Sequence, residues 1–576
     1  VHVLRSTISA LLAIAVCACG AVETNTSSTN EGKSEGEAVA LGQRLPPMSF
    51  EGVDAAGDRT DLVVGAADAR ATMLVVSGGA WCGTCLVFAS ALNDAPIDDV
   101  ARIDIVLANR DNATATIDDA EAWQQAFAPN VAVAVDPAFV FEPLLEGAGD
   151  MLPLVVLLED GVVVDAVAHP AVAEIVARVD ALRAQRTGVP APARVVNLVD
   201  NRFTAETWAL LQLTTVPGAP PPDPSNAVAD DAAAAAFGAA VFNDTGFSPS
   251  NTVACSTCHD ERFGWSDHRA RARGVVDGPR RSPSIALTAH QRHWFWDGRA
   301  DSLWAQATGP FENAGEYNSS RTFVARRVVD EYRDAYRAAF PQDALPTHND
   351  SARWPPTAKP GEAAWDALDD DTQTEITRVF VNTAKAIAAY ERTFRVQPTR
   401  FDAYLAGDVA ALTSLEKLGL SLFADNGCMQ CHWGPRLTDD AFHALGLGTT
   451  VDDDDRASGS RAQQQSAFRR GGAWDDDANS HSSPSVVFDA RLAGQQKTPA
   501  LRGVADGAFF THDGSFNDLG AVTSAYGLLA DRRDGQVREA WLPFFGETAQ
   551  WGLLPFLRTL TATTTTTMAP AAPTSR

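Results

Sequence analysis

With 576 residues and 45% hydrophobic content, the chain is too long for one core and too apolar to be disordered, so three or four domains are expected. A formal charge of −27 excludes nucleic acid as a partner, because an acidic surface repels phosphate. Beyond the N-terminus no apolar run is long enough to cross a membrane.

Residues 1–20, VHVLRSTISALLAIAVCACG, carry a short basic lead, an apolar run and small residues before a cysteine, the pattern of an export signal peptide. The block VCACG resembles a bacterial lipobox, which makes Cys19 the expected acylated residue and Cys17 a poorer candidate. A periplasmic protein attached to a membrane only by that lipid is expected. Residues 21–40, rich in Ser, Thr, Asn, Glu and Gly, read as a flexible tether. Of the eight cysteines, Cys17 would be removed and Cys19 lipidated, and the other six fall into three CxxC pairs.

From residue 41 the pattern becomes α/β. The β-rich run TMLVVS at 72–77 leads through GGAWCGTC into the helical LVFASAL. Two apolar runs flank Glu159-Asp160-Gly161 as a hairpin, and the helical AVAEIVARVDALRA follows. This stretch, 41–188, resembles the thioredoxin fold. A cysteine at a helix N-terminus meets unpaired backbone N–H groups, which stabilise its thiolate. Cys82 is then the attacking thiol and Cys85 the resolving one, with an inert disulfide kept for docking as the alternative. The resemblance implies a cis proline at Pro153 facing them.

Residues 189–228, rich in Pro, Ala and Asp, read as a linker. A helix at Ala232–Phe242 then leads to Cys255-Ser-Thr-Cys258-His259, and a helix at 415–423 leads in the same way to Cys428-Met-Gln-Cys431-His432. This is an internal repeat. Two mainly α, cytochrome c-type domains are expected at 229–398 and 399–560, followed by a disordered Thr-rich tail at 561–576. Each CxxCH can bond a haem through both thiols while its His supplies an imidazole to iron, so two covalently bound haem c groups are expected. The acidic excess lies partly in Asp runs at 369–371, 452–455 and 475–477, read as solvated loops or, more sharply, as an attraction for a basic partner protein.

CSTCHD, GPRRSPSIAL, FWDGRADSLWAQA, FENAGEY, CMQCHWGPRLTDD, KTPALRGVA and HDGSFNDL follow one another in the order and spacing of the bacterial di-haem cytochrome c peroxidase and MauG superfamily, which this region resembles. The resemblance implies that the His259 haem meets hydrogen peroxide, with Gln306 and Glu316 on its open face. A base there takes a proton from the inner oxygen and returns it to the leaving one, which suits Glu316. Trp296 matches the tryptophan between the haems, a relay for oxidising equivalents, whereas Trp294 reads as core.

Three departures from the pattern bear on function. The position of a blocking sixth-ligand His is Arg273, so an open first haem is expected unless His268, His290 or His293 substitutes. The position of the second haem's distal Met is Tyr526, a hard phenolic donor suited to oxidised iron. The calcium ligand Asn is Arg281, whose guanidinium takes the ion's electrostatic place and puts calcium in doubt.

The resemblance therefore implies a MauG-like oxidoreductase that stores two oxidising equivalents and spends them on a partner protein, fused to a thiol–disulfide domain. One rival is a peroxidase that removes hydrogen peroxide with electrons from a donor protein. Another is a non-enzymatic electron-transfer or redox-sensing lipoprotein.

Overall fold

A computed structural model describes residues 41–566 apart from 66–70, 98–99, 142–143, 145–150, 192–197, 344, 346–352, 448–454, 478–491, 529–546 and 562. The signal peptide with Cys19, the tether, most of the 452–455 acidic run and the end of the tail lie outside the described residues.

The run expected to be a buried strand is β3 (Ala71–Ser77), near the middle of a seven-stranded sheet. It pairs in parallel with β4 (Val100–Val106) and antiparallel with β6 (Leu154–Glu159), so that Leu74 stands between Ile103 and Val156. With β1 (Met48–Val53), β2 (Arg59–Val64), β5 (Ala132–Val135) and β7 (Val162–Ala168) the order is β2-β1-β5-β4-β3-β6-β7. Side chains alternate across the sheet, so both faces of β3 are buried. Leu74 and Val76 join a core with Leu86 and Trp123, while Met73 and Val75 pack with Phe88, Ile175 and Val176 on the other side. The hairpin between β6 and β7 turns at Asp160 (φ 49°) and Gly161 (φ 73°), the two positive φ values of a tight primed turn.

The first helical region is built on Ala232–Phe242 crossing Asp370–Glu391. The two backbones touch at Gly238, where a Cβ would lie 1.9 Å from the carbonyl oxygen of Ala386. Two of the acidic runs turn out to be structural in part. Asp369 caps the long helix by accepting the Thr372 N–H at 2.8 Å, and Asp476 pairs with the buried Lys385 at 2.6 Å.

In the second helical region Ser414–Asp425 packs on Glu547–Arg558 around Phe401, Phe423 and Phe556. Thr413 and Glu416 form a capping box at the start of the first of these helices. Two expectations need correction. The 189–228 stretch is not a bare linker, because Ala205–Gln212 is a helix whose Leu210 and Leu211 enter this same core. The tail is not disordered throughout, because Thr564–Thr566 pairs antiparallel with Phe394–Val396, at the expected junction of the two halves.

Candidate functional site

Both CxxCH motifs open on one continuous cavity of about 980 Å³, lined by Cys258 and His259 from the first and by Cys428, Cys431 and His432 from the second. Cys255–Cys258 is one helical turn, and Cys428–Gln430 a tight turn after Gly427, so each motif presents its thiols within a single turn. None of these four cysteines is in a disulfide.

The imidazoles are prepared as metal ligands. His259 Nδ1 lies 3.1 Å from the carbonyl oxygen of Trp265, and His432 Nδ1 lies 3.0 Å from that of Leu437. A carbonyl only accepts, so Nδ1 carries the proton and Nε2 keeps its lone pair. Burial pushes both imidazoles toward the neutral form. The chemistry of these residues fits one covalently attached haem at each motif.

The stretch between the motifs supplies the remaining groups. The WDGR turn is closed by the Trp294 N–H donating to the Ala300 carbonyl at 3.0 Å. Ser302 then caps Leu303–Glu312, the helix that brings Gln306 to the cavity. After the helix the chain turns back at Asn313, and the Val275 N–H donates to the Glu316 carbonyl at 2.9 Å. Glu316 also lines the cavity, with the Asn313 amide donating to its carboxylate at 2.7 Å. Burial pushes its carboxyl above the usual range, against the opposing pull of Arg299 and of Asn313.

Trp296 lines the same cavity, with its indole N–H held by the Arg281 carbonyl at 3.0 Å and its ring edge-on to His512 at 6.4 Å. Trp294 is buried, donates to the Thr288 hydroxyl at 3.1 Å, and also lines the cavity. Arg281 donates through Nε to the Thr511 carbonyl at 3.1 Å, and its guanidinium lies 5.4 Å from the centre of the Trp296 ring. Burial pushes this guanidinium down to about 10, and it lines the cavity wall.

Arg273 turns outward to Asp277. Of the histidines that might replace it, His268 Nε2 is bonded to the Asp506 carbonyl at 2.8 Å and His293 Nε2 to Asp111 at 3.1 Å. His290 is not among the cavity-lining residues. Tyr526, on Leu519–Leu528, lines the cavity with His432, and burial keeps its phenol protonated well above the usual range.

In the α/β domain Cys82 caps Gly83–Leu92, and the Cys85 N–H donates to its sulfur at 3.3 Å. Cys82 and Cys85 form a disulfide. The Leu152–Pro153 peptide is cis, and the Thr84 hydroxyl donates to the Leu152 carbonyl at 3.2 Å. Sequence reasoning missed what covers this disulfide. Trp433, the residue after His432, donates its indole N–H to the Trp81 carbonyl at 2.6 Å and lies against Gly83, where a Cβ would be 2.5 Å from the ring. The only signal was the Trp in CMQCHW. Gly83→Val should displace the indole and raise the rate at which a small dithiol opens Cys82–Cys85, measured by alkylation and mass spectrometry.

A family model described as di-haem cytochrome c peroxidase matches residues 232–410. MauG, the methylamine utilization protein of Methylorubrum extorquens, is 31% identical over 57% of this chain and 78% of its own length. The cytochrome c551 peroxidase of Pseudomonas aeruginosa is 34% identical over 37% of this chain, and that match spans 53% of the peroxidase. The Nitrosomonas europaea cytochrome c551 peroxidase is 26% identical over 58% of this chain and 81% of its own length. With MauG 31% identical and matched over 78% of its length, the chain belongs to the di-haem cytochrome c peroxidase and MauG family.

Proposed function

We propose that the chain is a peroxide-dependent di-haem oxidoreductase of the MauG-like kind, which holds two oxidising equivalents and passes them to a partner protein. The observation that carries this reading is the one cavity that joins both CxxCH motifs to Glu316, Gln306, Trp296 and Tyr526. A haem at each motif supplies iron that binds peroxide or gives up electrons.

The chain's own residues do the rest. Glu316 accepts a proton from the inner oxygen of hydrogen peroxide and delivers it to the departing oxygen, so that water leaves rather than hydroxide. Gln306 orients the peroxide by hydrogen bonding. Trp296 sits where oxidising equivalents pass between the two sites, with its N–H fixed by Arg281 and its ring beside the guanidinium. That guanidinium supplies positive charge without an added ion, which supports the reading that calcium is dispensable. Tyr526 offers the second site a phenolic oxygen in place of a thioether, a donor suited to oxidised iron. The outward turn of Arg273 and the engaged Nε2 atoms of His268 and His293 support a first site that is open at rest.

The test is an EPR and optical spectrum of the ferric holoprotein before and after one equivalent of peroxide, on wild type and Tyr526→Met. One high-spin and one low-spin haem are expected, with bleaching of the Soret band and a near-infrared band that the variant lacks. Two low-spin haems inert until partly reduced would overturn the reading in favour of a conventional peroxidase.

A further inference from the structure

A second set of redox-active atoms has no part in that scheme. The sulfurs of Cys82 and Cys85 are joined, and both residues are 0% exposed. Two chains of contact lead from them to the second haem motif. In the first, Trp433 follows His432 directly and lies against Gly83, between the two cysteines. In the second, Cys431 Sγ, a carboxylate oxygen of Asp439 and a ring nitrogen of His443 all lie within 4.8 Å of one another. The His443 ring meets Trp81 edge-on with centroids 4.8 Å apart, and Trp81 precedes Cys82. Asp439 bonds His443 Nε2 at 2.8 Å, while the Asn112 amide donates to the Phe442 carbonyl at 2.9 Å. These bonds fix the His443 ring and tie its strand to the α/β domain.

The arrangement separates two kinds of chemistry. Thiol–disulfide exchange with a partner protein needs an open path to a sulfur atom, and Trp433 with the surrounding core closes it. Electron transfer needs only contact with a redox centre, and both contact chains begin at the residues that hold the second haem.

Resting on the peroxide reading above, we propose that Cys82 and Cys85, when reduced, are an internal two-electron donor that returns the peroxide-oxidised site to rest by way of Trp433 and His443. The two thiols lose two electrons and two protons as the S–S bond forms. Hydrogen peroxide gains those two electrons and two protons as its O–O bond breaks, so that H2O2 + 2 RSH gives 2 H2O + RSSR. The oxidant and the cysteine pair have the same electron count, so one turnover leaves no unpaired sulfur. A small dithiol resets the pair.

Holoprotein is incubated anaerobically with excess dithiothreitol, freed of it, checked to be ferric and given one equivalent of peroxide. Alkylation and mass spectrometry count the Cys82 and Cys85 thiols while the optical spectrum is followed. Both thiols should disappear as the spectrum recovers, and recovery should be about tenfold or more slower in wild type whose pair was left oxidised. Trp433→Phe should slow the thiol loss. Thiol loss at the wild-type rate in Glu316→Gln would mean direct attack by peroxide and would overturn the proposal. So would a pair that dithiothreitol never opens in the folded protein, since it would then be a crosslink. If the spectrum responds to peroxide but the thiols persist, this proposal fails and the peroxide reading stands. If no spectral response occurs, the peroxide reading itself fails.

Discussion

Glu316→Gln should slow the reaction of the ferric holoprotein with peroxide by about 10²- to 10⁴-fold, the usual contribution of a positioned proton carrier. The amide keeps the size of the side chain and can still meet the Asn313 amide through its oxygen, so the loss reports the missing base and not a collapsed cavity. The pH dependence has a definite sign. Only the ionised carboxylate accepts a proton, so the rate rises as pH rises through the Glu316 midpoint. Burial raises that midpoint above the ordinary glutamate value of 4.5, and the rise in rate should be displaced upward with it. Stopped-flow measurement of the Soret change from about pH 4 to pH 8 should show this limb in wild type and a flat line in the variant. A limb that survives the substitution would assign it to another group.

Arg502→Met should destabilise the second helical region by about 3–5 kcal/mol, the cost of leaving a buried charge without its partner. The Arg502 guanidinium holds Asp402 with two bonds of 2.9 and 2.7 Å, and the two side chains are 1% and 4% exposed. It also donates to the carbonyls of Pro435, just beyond the second haem motif, and Thr214, in the segment that joins the domains. Asp402 in turn accepts N–H groups from Thr399 and Val216, each at 2.8 Å. One ion pair therefore ties four separated pieces of chain together. Chemical denaturation should show the loss, and Asp402→Asn in the same chain should recover part of it, because the stranded charge is then gone. A double variant whose losses simply add would mean that the pair is not coupled.

The parts of this protein that were legible in its sequence are those decided by neighbours along the chain. The β-rich run before WCGTC became β3 because a strand buried on both faces needs continuous apolar residues, whatever lies beyond it. Ala232–Phe242 begins at its capping Asp231, and the turn at Asp160-Gly161 carries the positive φ values that such a pair permits. Each CxxCH is self-contained, since five consecutive residues supply two thiols and an imidazole, and Gln306 and Glu316 are set by one helix and the turn that ends it.

The rest was decided by contacts between residues far apart in sequence. The Pro-rich segment near 205 and the Thr-rich tail lack the periodicity of a folded element, and they gain structure only from a core and a strand edge supplied by residues near 400. The acidic runs read as solvent-facing because charge alone does not reveal that Asp369 will meet a helix end or that Asp476 will meet Lys385. The sequence by itself determined two haem-type motifs, a thiol pair and the residues between the motifs, because local geometry dictates them. Only the tertiary structure decided that Trp433 would close over the thiol pair, because that contact spans some 350 positions and depends on how two folded cores complement each other in shape.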